Sequence, residues 1–108
     1  MGAWQNFSEN YVRKATEVVV DTVVDYANRG YSRQIAIEQA ALSLGMTPRR
    51  VKALWYEPDT VSVRRAEFER LKQMYTAHLE AKADELAQRS REARERARVL
   101  KTQNELGV

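Results

Sequence analysis

Between positions 33 and 52, Arg33, Arg49, Arg50 and Lys52 stand against Glu38 alone, and this cluster is where the sequence offers chemistry. Guanidinium and ammonium groups at that density donate to phosphate oxygens and to the acceptor edges of bases. The local excess equals the net charge of +3 of the whole 108-residue chain, in which 18 Lys plus Arg meet 15 Asp plus Glu. Other chemistries lack their parts. With no cysteine there is no disulfide, thiolate zinc site or cysteine nucleophile. The single His78 has no second His or carboxylate at zinc-like spacing and reads as an ordinary surface or interface residue. Paired carboxylates in an apolar setting and a phosphate-cradling glycine loop are both missing, so the chain is expected to be no enzyme and to carry no cofactor or metal.

The elements that must position the cluster are helices. Apolar residues make up 44% and charged residues 31%, with only four Gly and two Pro, which fits an all-α fold of one modest core. All nine aromatics lie in the first 75 residues, whereas residues 80–108 are mainly Ala, Leu, Arg and Glu. The composition shift predicts a helical body over 1–79 and a projecting helix over 80–108.

Glycines 30, 45 and 107 and prolines 48 and 58 mark four helical segments. The first is expected from Ser8, as cap, to Asn28, with Tyr11, Ala15, Val18, Val19, Thr22, Val23 and Tyr26 on one face. The β-branched run Val18-Val19-Val20 favours a strand locally, but Asp21 breaks it and helix formers flank it. The second segment starts at Ser32 and sets Ile37, Ala40, Ala41 and Leu44 in one stripe before Gly45. The third has Thr47 as cap and Pro48 at its first position and ends before Pro58. From Asp59 or Thr60 a fourth helix of about forty residues is expected, close to 60 Å at 1.5 Å per residue.

Residues 37–56, IEQAALSLGMTPRRVKALWY, resemble the helix-turn-helix of the DNA-binding superfamily of that name. Ala41 supplies the small residue over which the second helix crosses. Gly45 supplies the turn, Met46 the apolar residue after it, Thr47 the cap, and Val51 and Leu54 the anchors from below. With those two inward, Arg49, Lys52, Ala53 and Tyr56 share the opposite face. The resemblance implies that this face enters a major groove, the basic residues reaching guanine edges or phosphates and Ala53 allowing close approach or contact with a thymine methyl. Tyr56 would reach a phosphate or base. Tyr31, Ser32 and Arg33 open the preceding helix, where N–H groups and short polar side chains hold phosphates. Trp55 is expected to close the core against Trp4, Phe7 or the first helix.

Farther on, Leu79, Ala83, Leu86, Ser90, Ala93, Ala97 and Leu100 recur at alternating steps of four and three, the repeat of a coiled-coil seam. Phe68, Leu71 and Tyr75 share a face suited to docking on the body, and Glu85 with Arg89 and Glu92 with Arg96 support an exposed helix. The stretch 89–101 carries six basic and two acidic side chains, a pattern that fits a solvated helix or one tracking phosphates.

The expected function is thus a sequence-specific binder of double-stranded DNA, a transcriptional regulator of bacterial or phage type. Its oligomerisation seam, through Leu79, Leu86, Ala93 and Leu100, would bring two half-sites together in a homo-oligomer. Arg33, Thr47, Arg49, Arg50, Lys52, Ala53 and Tyr56 are the expected DNA-contacting residues. A small-terminase-like packaging protein and a protein-binding adaptor or inhibitor are the alternatives. No apolar run reaches the roughly 18 residues that span a bilayer and MGAWQNFSEN has no signal-peptide pattern, so a cytoplasmic protein without membrane or small-molecule partners is expected.

Overall fold

The computed structural model describes residues 2–107, and the side chains of residues 11–107. The fold is all-α: α1 (Gly2–Asn28), α2 (Arg33–Leu44), α3 (Pro48–Tyr56), a single 3-10 turn (Pro58–Thr60) and a long C-terminal helix, α4 (Arg65–Glu105), with no strand among the described residues. The chain forms two compact units, residues 1–76 and residues 77–108. The first holds α1 to α3 and the start of α4. The second is the remaining helical stretch of α4, on which Leu79, Leu86 and Leu100 stay exposed.

In the first unit α1, α2 and α3 pack against one another. Along α1, Ala15, Val19 and Val23 are buried and Tyr11, Val12, Val18 and Tyr26 pack partly against the core, so helical periodicity overrides the β-branched run. Thr22 is the buried polar residue of this core, and its hydroxyl donates to the Val18 carbonyl at 2.8 Å, one turn back. Ala36, Ile37, Ala40, Ala41 and Leu44 from α2 and Val51 and Leu54 from α3 complete the centre. The start of α4 adds Phe68 and Leu71, the Phe68 ring stacking on Tyr11 with centroids 5.2 Å apart.

Two boundaries differ from expectation. Helix α1 begins at Gly2, so Ser8 lies inside it rather than capping it, no proline standing in the way. Helix α4 begins at Arg65 rather than at 59–60. Residues 61–64 are non-helical, which lets Val63 enter the core and Val61 pack against it. Trp55 does pack partly on the core, while its expected partners Trp4 and Phe7 lie outside the residues whose side chains are described.

Between α2 and α3 the backbone turns at Gly45, with φ 65° and ψ 33°. The Gly45 N–H reaches the Leu42 carbonyl at 3.4 Å and the Met46 N–H the Ala41 carbonyl at 2.9 Å, which satisfies two free carbonyls at the end of α2 in a Schellman arrangement. A side chain here meets both the left-handed backbone and Met74, whose Cε would lie 3.4 Å from an added Cβ. Gly45→Val is therefore expected to destabilise the fold by about 1–3 kcal/mol, measured by denaturant unfolding. An unchanged unfolding midpoint would refute the strain.

Helix α4 is tied to α1 by Tyr75, whose hydroxyl donates to Asp21. Partial burial, that hydrogen bond and the negative charges of Asp21 and Asp25 push its phenol from 10.0 up to about 12. The proton is thus held more tightly in the folded chain than in the unfolded one. The stabilisation is complete below pH 10 and is lost as pH rises towards about 12. Tyr75→Phe should lower the melting temperature at neutral pH and flatten its fall across that alkaline window; identical alkaline profiles would count against the link.

Candidate nucleic-acid interface

Helix α3 is nine residues long and is set from both ends and from below. The Thr47 hydroxyl oxygen accepts from the Arg50 N–H at 3.1 Å, and Pro48 occupies the first turn, where its missing donor costs nothing. Val51 and Leu54 are 0% and 1% exposed, which fixes the rotation of the helix about its axis. At the far end the Glu57 N–H closes on the Ala53 carbonyl at 2.9 Å, and Pro58 begins the 3-10 turn. The outward face follows from these constraints.

That face carries Arg49, Lys52 and Tyr56, all exposed. Tyr56 stands edge-on to Trp55 with ring centroids 6.5 Å apart, so one side of the tyrosine rests on the half-buried indole while the residue as a whole stays exposed. Ala53 is half-buried on the flank of this face. Thr47 is exposed at the start of the helix, with its oxygen engaged as cap. Arg33 is exposed in the first turn of α2, after Ser32, whose hydroxyl oxygen accepts from the Ile35 N–H at 3.4 Å. Just before that turn Arg29 pairs with Asp25 at 3.2 Å and lies 5.1 Å from the centre of the Tyr26 ring.

Arg50 is placed differently from its neighbour. Its guanidinium donates twice to Glu67, at 3.1 and 2.8 Å, and once to the Ser62 carbonyl at 2.6 Å. A bidentate pair of this kind is directional, and the third bond secures the extended segment before α4. The residue therefore links α3 to α4, while Arg49 projects outward. Sequence reading grouped the two because they are adjacent and alike in charge; the carboxylate that separates their roles lies 17 positions along the chain.

Arg70 is a cation that the local pattern did not single out. It is exposed on α4, and its guanidinium comes within 3.6 Å of the position a Cβ would take on Gly45. An open cleft of about 530 Å³ lies here, walled by Thr47, Arg50, Glu67 and Arg70. Arg70 thus adds positive charge beside the turn that precedes α3. Only the packing of α4 brings it there.

Among the described residues there is no group of His, Asp and Glu able to hold a metal ion. Among the same residues, no helix is long and apolar enough to cross a membrane. No known protein family matches this chain, and it has no detectable counterpart among characterised proteins or solved structures.

Proposed function

We propose that the protein binds double-stranded DNA in a sequence-specific manner as a transcriptional regulator, with α2 and α3 acting as a helix-turn-helix and α3 as the helix that enters the major groove. The observation that carries this reading is the exposed triplet Arg49, Lys52 and Tyr56 on a short helix whose other face is locked by Val51 and Leu54. A recognition helix needs both properties. Long polar side chains must reach base edges and phosphates, and the helix beneath them must be immobile so that their positions carry information. Arg33 and Arg70, on other elements of the same unit, are suited to phosphates, and Arg50 positions rather than contacts. Ala53 lies close enough to the surface for apolar contact with a base.

One such helix reads few base pairs. Strong specificity calls for two copies acting together, and the exposed seam through Leu79, Leu86, Ala93 and Leu100 is the surface by which a homo-oligomer would form. Selection of bound fragments from a random duplex pool, followed by sequencing and a salt titration, tests the function. A recurring motif with two-fold symmetry and affinity falling steeply with salt is expected. Retention of no duplex at low salt would refute the proposal.

A further inference from the structure

On the second unit the seam alternates in size. Leu79, Leu86 and Leu100, with Ala93 between the last two, fall on one of its two positions, and the small residues Ala83, Ser90 and Ala97 on the other. Leu86 is 53% and Leu100 60% exposed, so a single chain leaves this face uncovered. The charges beside it are not evenly mixed. Arg89, Arg94, Arg96 and Lys101 flank the seam together with Lys82, against the single acid Glu80; the other acids lie farther round the helix.

From these two patterns we infer that the face is covered by the same face of a second copy running antiparallel, with the two-fold axis passing between residues 91 and 92. In a parallel pair the flanking positions that meet are Arg89 with Arg94 and Arg96 with Lys101, each contact occurring twice and each repulsive. Parallel pairing also sets leucine on leucine and small on small, which leaves thin layers at Ala83, Ser90, Ala93 and Ala97 beside thick ones at the leucines. The antiparallel register relieves both conflicts, leaving one kind of like-charge contact in place of two and setting leucines on small residues. Leu86 meets Ala97 of the second copy and Leu100 meets Ala83, so these leucines face small residues, while Ser90 meets Ala93 in the close-approach layers at the centre. Glu80 at one end meets Lys101 of the second copy, and the same contact recurs at the other end. The like-charge contact that remains, Arg89 with Arg96 of the second copy, is moderated within each helix, since Arg89 is paired with Glu85 at 2.8 Å and Arg96 follows Glu92 by one turn. An acidic helix from a different protein would also suit the basic flanks, but it explains neither the size alternation that complements itself about residues 91 and 92 nor the placement of the lone Glu80 opposite Lys101.

The inference deepens the self-association in the proposed function, and its test involves no DNA. Because the chain has no cysteine, Glu80→Cys and Lys101→Cys give proteins with one thiol each. Sedimentation of the full-length chain from micromolar to submillimolar concentration should show a reversible dimer, and Leu86→Asp, altering an exposed position, should abolish it with helicity retained. Oxidation of an equimolar mixture of the E80C and K101C proteins should give a heterodimer, its disulfide joining position 80 of one chain to position 101 of the other. A parallel pair holds these positions roughly 30 Å apart along the axis, far beyond disulfide reach. A chain that self-associates yet yields no heterodisulfide overturns the antiparallel register and leaves self-association standing. A chain that is monomeric throughout overturns the second copy as occupant. Neither result bears on whether α3 binds DNA, which the duplex selection decides separately.

Discussion

Arg49→Ala combined with Lys52→Ala is expected to weaken binding to the selected duplex by about 30-fold or more while the unfolding midpoint stays where it is. Each side chain that reads a base contributes about 1–3 kcal/mol, so even the low end for two contacts gives that factor. Where one of them holds a phosphate instead, the slope of log affinity against log salt should fall by about one for each charge removed. Stability should be unaffected because both residues are exposed and neither belongs to the core. Substitutions at such positions usually stay within about 0.5 kcal/mol. Binding titrations at several salt concentrations, with denaturant unfolding of the same preparations, make the measurement. Unaltered affinity in the double variant would remove α3 as the recognition helix.

The opposite face of the same helix should behave in the opposite way. Leu54 is 1% exposed and joins α3 to the core formed with α1 and α2. Leu54→Ala is expected to cost about 2–5 kcal/mol, through lost burial and the cavity left behind. That is a large share of the roughly 5–15 kcal/mol typical of a folded domain, so the loss should be plain in the unfolding midpoint. Folded Leu54→Ala protein retains Arg49 and Lys52. Any loss of DNA affinity should therefore track the unfolded fraction and be recovered at lower temperature. A stability equal to that of the parent chain would mean that α3 is not anchored through this residue.

The two faces also divide what was legible in the sequence from what was not. The limits of α2 and α3 were readable because the groups that set them are local. Ser32 and Thr47 cap through bonds to an N–H three residues on, Pro48 tolerates only a first-turn position, and the two carbonyl bonds around Gly45 join residues close in the chain. Burial of Val51 and Leu54 followed from periodicity for the same reason: once one side of a nine-residue helix is apolar, its rotation is decided. The outward placement of Arg49, Lys52 and Tyr56 was thereby legible as well, whereas Ala53 sits nearer the boundary of that face than the helical wheel implied.

Elsewhere contacts between distant residues decided. Helix formers dominate farther along α4, but Asp59-Thr60-Val61-Ser62-Val63 form helix poorly, and residues 61–64 are held non-helical with Val63 drawn into the core and the Ser62 carbonyl receiving Arg50. Neither partner is a neighbour in sequence. Identical side chains at 49 and 50 take different roles because Glu67 reaches only the second, and Arg70 comes beside the turn only because α4 packs there. By itself the amino-acid order determined an all-α chain, the edges of its two short helices, the outward basic face of α3 and the repeat along α4, all of which rest on interactions within a few residues. Tertiary structure decided which cations are tied to other elements and how the segment before α4 is held, since those depend on groups from separate elements that meet only once the core has closed.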